Sequence, residues 1–126
     1  MRYVIYGNPI TKKNSQRIVL AGSHPRIVPS KQYKAYQERA LWQLAGLRPK
    51  QPIGEPVNVM CLYYMQTRRK VDLVNLLEAT MDILVDARIL ADDHAKIVTG
   101  HDGSRVLYDR ENPRVEIAIK AREGRI

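Results

Sequence analysis

The chain is poor in cysteine, in acidic residues and in long apolar runs, and each shortage narrows what it can be. A single cysteine, Cys61, excludes an internal disulfide and a cysteine-based zinc cluster. It stands between Met60 and Leu62 with no histidine nearby in sequence, the setting of a buried structural thiol rather than of a reactive one. No apolar run exceeds a few residues, so no segment is expected to span a bilayer. Met1-Arg2 leads directly into a short apolar stretch, a start without the features of a signal peptide. Together with the lone thiol this points to the cytoplasm. His24, His94 and His101 are too dispersed for a local zinc motif, and no glycine-rich phosphate loop of the Walker or dinucleotide type is present. There is also no internal repeat and no low-complexity tract.

Acidic residues are scarce, and their distribution is uneven. The chain holds 13 Asp and Glu against 21 Lys and Arg, a net charge of +8. Six of the 13 lie between Asp72 and Asp93, where Arg88 is the one basic residue. A basic body with one concentrated acidic segment suits a protein that holds a polyanion and brings a metal ion to it. Counterion release makes nucleic acid the leading partner, with a merely well-solvated surface as the plain alternative. The length of 126 residues, with 44% hydrophobic and 27% charged residues, predicts one globular domain over 1–126 with a real core.

Taken in order, Arg2 to Tyr6 reads as a strand, ended by Gly7-Asn8-Pro9. The polar loop that follows is a candidate phosphate-contacting segment. Lys12, Lys13 and Arg17 supply charge there, and Asn14 and Ser15 supply hydrogen bonds; a solvated turn is the equal alternative. Ile18–Ala21 and Arg26–Pro29 are placed to form a hairpin. Ser30 caps a helix to about Leu47, with Tyr33, Tyr36, Ala40, Leu41 and Leu44 toward the core. Trp42 and Tyr36 are either core residues or base-stacking platforms, the core reading being the commoner one. Arg48 to Pro56 is a Pro- and Gly-rich loop. Val57 to Met65 reads as a long, largely buried central strand. Arg68, Arg69 and Lys70 then deliver three consecutive cations beside Asp72, and their position against the carboxylates makes them candidates for backbone contact. A second helix runs from Asp72 to about Asp86, a strand begins at Lys96, Val106–Tyr108 is a further extended segment, and Arg114–Lys120 alternates as a last strand. These elements predict a small α+β fold: a sheet of about four strands packed with two main helices.

On the second helix, Asp72, Asn75, Glu78, Asp82 and Asp86 fall within one arc at 100° per residue, opposite Leu73, Leu76, Leu77, Thr80, Met81, Ile83 and Leu84. Asp92 and Asp93 follow in the next loop. Oxygen ligands of this kind suit Mg²⁺ or Mn²⁺, which support phosphodiester hydrolysis. Convergence of the two groups requires the chain to fold back after the helix. A solvated acidic face, with Asp72 serving as an N-cap, is the plain alternative.

The run Val-Asp-Leu-Val-Asn-Leu-Leu-Glu-Ala-Thr-Met-Asp-Ile-Leu, followed by Arg-Ile-Leu-Ala-Asp-Asp, resembles the RusA family of Holliday junction resolvases, common in phages and prophages. The opening Gly-Asn-Pro-Ile-Thr-Lys-Lys-Asn-Ser is similar to that family's start. The resemblance implies a small mixed α/β homodimer in the bacterial host cell that cuts four-way DNA junctions by paired, Mg²⁺-dependent nicks. It further implies that Asp72 and Asp93 bind metal, with Asp92 the neighbouring acidic position and Asp82 the helical one. Two departures stand out: Val74 replaces an Asp, and Glu78 replaces a catalytic Lys. Glu78 or Asp82 is then expected to complete the metal shell, and Lys96 or Lys70 to replace the missing cation. The rival readings are a non-catalytic branched-DNA-binding module, a nuclease of the same chemistry acting on flaps or RNA, and a basic structural phage protein.

Overall fold

The computed structural model describes residues 1–12, 16–22 and 24–122, with the side chains of the strands at 16–21 and 24–29 left aside, apart from the exposed Pro25. The elements run β1 (Arg2–Tyr6), β2 (Gln16–Ala21), β3 (His24–Pro29), α1 (Lys31–Leu44), β4 (Val57–Met65), α2 (Leu73–Asp86), β5 (Val98–Gly100), β6 (Arg105–Tyr108) and β7 (Arg114–Ala121). The α+β class is as expected, but the main sheet has five strands rather than four, and β2 and β3 form a separate antiparallel ribbon.

β1, β7 and β4 are neighbours in antiparallel pairing. On the far side of β4, β5 pairs at Val57 and Asn58 and β6 pairs at Leu62–Met65, both parallel. They act as one interrupted edge strand. The gap is closed by side chains: the Cys61 N–H donates to Ser104 Oγ (2.9 Å), and Asn58 exchanges hydrogen bonds with the Asp102 backbone (2.8 and 3.1 Å). Gly103 is required in this loop, because its φ is +88° and a Cβ would lie 2.9 Å from Met60 Sδ. At the opposite edge, Gln43 of α1 caps β1. The Tyr6 N–H donates to Gln43 Oε1 (2.7 Å), and Gln43 Nε2 donates to the Tyr6 carbonyl (3.0 Å).

Along β4 burial alternates strictly, with Val57, Val59, Cys61, Tyr63 and Met65 buried and the intervening residues half-buried. The strand is thus largely buried, as expected, with one face covered fully and the other half-buried. That face meets α1 through Tyr33, Tyr36, Ala40 and Leu44, and α2 through Leu76, Leu77, Met81, Ile83 and Leu84. On the half-buried face, the Arg114 guanidinium stacks on Tyr64 (3.9 Å to the ring centroid) and pairs with Asp109 (2.9 Å) and Glu116 (2.8 Å).

One buried polar link joins β4 to α2. The Tyr63 and Thr80 hydroxyls lie 2.7 Å apart, and Thr80 Oγ1 donates to the Leu76 carbonyl (3.0 Å). Trp42 is 83% exposed, so it is not a core residue. The α1 face set by Tyr33, Tyr36, Ala40 and Leu44 leaves position 42 toward solvent. No helix among the described residues is long and apolar enough to cross a membrane.

Candidate active site

β4 ends at Met65, and the chain passes Arg68, Arg69 and Lys70, all exposed, to reach α2. Asp72 is the helix N-cap: its Oδ1 accepts the Val74 N–H (3.0 Å), satisfying one of the free donors of the first turn. Its second oxygen has no protein partner among the described residues. Lys70, Val71, Asp72, Leu73 and Asn75 line one open depression, so a cation and the capping carboxylate share a surface. Val74, where the sequence pattern led one to expect an acid, is 66% exposed beside it.

The acidic stripe of α2 faces α1 and the loop after β1. Lys12 Nζ lies 2.7 Å from Asp82 Oδ2, with each side chain about one-third exposed. Gln37 Nε2 donates to Asp86 Oδ2 (3.0 Å). Beneath them sits Tyr33. Burial pushes its phenol up to about 12, helped by the charges of Asp82, Asp86 and Glu78. The Tyr33 hydroxyl is buried with no hydrogen-bond partner among the described residues, which marks a place where a further polar group is accommodated.

The chain turns back on itself after α2. α2 ends at Ala87, and Arg88 adopts φ 60°, a left-handed conformation that costs an L-residue about 1–2 kcal/mol. The Ile89 and Leu90 N–H groups both return to the Leu84 carbonyl (3.0 and 3.2 Å). Ile53 N then donates to Ile89 O (2.8 Å) and Ala91 N to Ile53 O (2.9 Å), anchoring the buried pair Ile89–Leu90 to the loop after α1. Asp92 and Asp93 emerge exposed from this anchor. The Asp93 N–H donates to Asp92 Oδ1 (2.7 Å). The Asp93 carboxyl is held above the usual carboxylate range by desolvation first, then by its hydrogen bond to Asp92 and the charges of Asp82 and Asp92.

The charge of Asp82 thus bears on Asp93 although a helix end separates the two in sequence. Asp72 and Glu78 are not among the groups that act on Asp93. No group of three or more His, Cys, Asp or Glu close enough to hold a metal ion occurs among the described residues. The donors at this end of α2 are carboxylate oxygens, the kind a hard divalent cation takes.

Of the remaining predicted positions, Lys96 is exposed, and its N–H donates to His94 Nδ1 (3.3 Å). Lys13 and Asn14 lie outside the described residues, as does the Arg17 side chain. Arg68 stacks on Tyr108 of β6 (4.1 Å to the ring centroid), in a groove also lined by Met65, Thr67, Arg69 and Val106. Tyr108 and Tyr33 carry no local motif. The Lys12–Asp82 pair bridges 70 positions, so spacing could not reveal it.

A family model described as "Endodeoxyribonuclease RusA" matches residues 7–120. No curated protein matches the chain.

Proposed function

The chain belongs to the RusA endodeoxyribonuclease family, and from that premise we propose that it resolves four-way DNA junctions by divalent-cation-dependent phosphodiester hydrolysis. The observation that supports the metal-dependent part is the exposed Asp92–Asp93 pair, tied by the Asp93 N–H to Asp92 Oδ1 (2.7 Å), with the charge of Asp82 also bearing on Asp93. Asp93 and Asp92, with Asp82, would hold Mg²⁺, or Mn²⁺; Asp72, about 15 Å from Asp82 along α2, would face the substrate and not share that ion. The ion, when bound, supplies a Lewis acid and activates water.

The chain's own residues do the rest. Lys12 already neutralises Asp82, which moderates repulsion in the metal-free state and tunes that carboxylate as a ligand. Glu78, one turn before Asp82 on the same stripe, would be a further oxygen donor for that ion. Of the two candidates for the missing cation, Lys70 shares a depression with Asp72, whereas Lys96 lies just beyond Asp93; either would offset charge at the scissile phosphate. Arg68, Arg69 and Lys70, with Lys12, Lys13, Asn14 and Arg17 of the opening loop, hold the backbone of branched DNA. A homodimer presents one such site to each of two strands, matching the near two-fold symmetry of a junction.

A second reading is a junction-binding module without cleavage. It is favoured by Val74, an exposed apolar residue beside Asp72, and by the lack of a three-carboxylate cage among the described residues. The deciding experiment incubates synthetic four-way junction, flap and linear duplex with the chain and with Asp93→Asn, each with Mg²⁺ and with EDTA. Mg²⁺-dependent nicking of the junction that Asp93→Asn abolishes supports resolution. Binding without nicking supports the module, and stronger cutting of flaps moves the substrate class.

A further inference from the structure

The turn that ends α2 carries a side chain the nuclease reading leaves unused. Arg88 is the one non-glycine residue with positive φ among the described residues. The backbone work done there is what a glycine does with less strain. Arg88 N donates to Val85 O (3.0 Å) and Ile89 N to Leu84 O (3.0 Å), which closes the helix. What arginine adds at this position is its guanidinium.

That side chain lines an open cleft of about 420 Å³ with Arg48, Pro49, Lys50 and Pro52. Three cations line the cleft and no carboxylate does. None of the three forms an ion pair with a described residue. The carbonyls at the end of α2 favour a cation at Arg88. They do not account for Arg48 and Lys50, which come from a different segment. Nor do they account for the left-handed backbone. Both segments are held stiffly: two prolines restrict the Arg48–Pro52 stretch, and the Ile53–Ile89 and Ala91–Ile53 hydrogen bonds (2.8 and 2.9 Å) clamp it to the chain beyond Arg88. An anion in the cleft relieves the repulsion of the three cations and pairs with guanidinium and ammonium groups.

We propose that Arg48, Lys50 and Arg88 form a DNA backbone-phosphate site flanking the Asp92–Asp93 centre; the inference rests on the nuclease reading above. The five residues from Arg88 to Asp93 span at most about 18 Å. That is a bound between Cα atoms, and a single DNA molecule is long enough to reach both places. The cleft reads charge and not base edges, so it acts alike on junction and linear duplex.

The test measures binding of the full chain to a four-way junction and to a linear duplex by fluorescence anisotropy, in EDTA over a range of salt, beside thermal unfolding and Mg²⁺-dependent cutting. Arg88→Gly is expected to raise the unfolding midpoint by about 2–5 °C while weakening both DNAs about three- to tenfold and lowering the salt slope by about one. Arg88→Ala, which keeps the Cβ strain, is expected to lose the same affinity without the gain in stability. Arg48→Gln is expected to weaken both DNAs as well. Arg88 variants with the affinity and salt slope of the parent chain overturn this inference alone, as does a loss confined to the junction. A parent chain that neither binds nor cuts branched DNA overturns the nuclease reading together with it.

Discussion

Thr80→Val takes from the buried Tyr63 hydroxyl its one oxygen acceptor among the described residues. Thr80 Oγ1 already donates its proton to the Leu76 carbonyl (3.0 Å), so in the 2.7 Å contact with Tyr63 the tyrosine is the donor. Burial pushes the Tyr63 phenol far above its ordinary range, so it keeps its proton at any pH at which the protein folds. Tyr63 is fully buried and Thr80 nearly so; water cannot replace a lost partner. Thr80→Val removes the acceptor at almost constant volume and leaves the phenol only the weakly accepting Cys61 thiol, at a cost of about 1–3 kcal/mol. Tyr63→Phe removes the donor and leaves Thr80 bonded to Leu76, at a cost of about 1 kcal/mol. The double variant removes both partners and is expected to be more stable than Thr80→Val alone, a coupling of about 1 kcal/mol or more. Urea titrations followed by far-UV circular dichroism measure all three, with an unchanged m-value as the sign that the denatured state is unaffected. A double variant whose loss equals the sum of the two single losses refutes the reasoning, because it shows that the hydroxyls contribute independently. The matter bears on function, since this bond sets the rotation of α2, and with it the acidic stripe, against β4.

Other outcomes follow from the same structure. The Cys61 thiol is buried and pushed up to about 12, so a disulfide thiol reagent at pH 8 releases no chromophore from native protein and one equivalent after denaturation. Asp109 is held below its ordinary 3.8 chiefly by its hydrogen bond to Arg114. A lowered folded value means that the contribution is present above 3.8 and lost as the pH falls through the folded value. Asp109→Asn is therefore expected to narrow its deficit against the parent as thermal scans move down from pH 5 to pH 3. Asp93→Asn removes one of three crowded charges. In EDTA it is expected to raise the unfolding midpoint by a degree or two, since an exposed charge contributes well under about 1 kcal/mol, while ending Mg²⁺-dependent cutting; a lowered midpoint contradicts the crowding.

Much of the fold was legible because short-range signals were strong. β1 and β4 are apolar runs with β-branched and aromatic residues between turn formers, and both have the expected bounds. Ser30 and Asp72 cap helices where polar residues precede apolar periodicity. Other features depend on partners distant in sequence. β5 starts at Val98 and not at Lys96, because a turn intervenes in which Ile97 N and Val98 N both donate to His94 O (3.0 and 2.9 Å). The β6 pairing to β4 is parallel and nonlocal, and alternation alone could not assign it. Trp42 followed a general tendency of aromatics that the phase of α1 overrides. In the site, the arc of α2 was readable from helical geometry. The approach of Asp93 to Asp82 depends on the left-handed Arg88 and on the clamp by Ile53, and arginine gives no sequence sign of positive φ as glycine would.

The Gln43 amide at β1 has a consequence for the protein in solution. A sheet whose outermost strand shows bare N–H and C=O groups offers a template on which another chain can add. Here one side-chain amide takes both outward groups of Tyr6, as the peptide unit of a next strand would, and the helix that supplies it cannot propagate a ladder. At the other side the broken pair β5 and β6 leaves no long straight strand to copy. The Tyr6 end of β1 is thereby closed to a further strand.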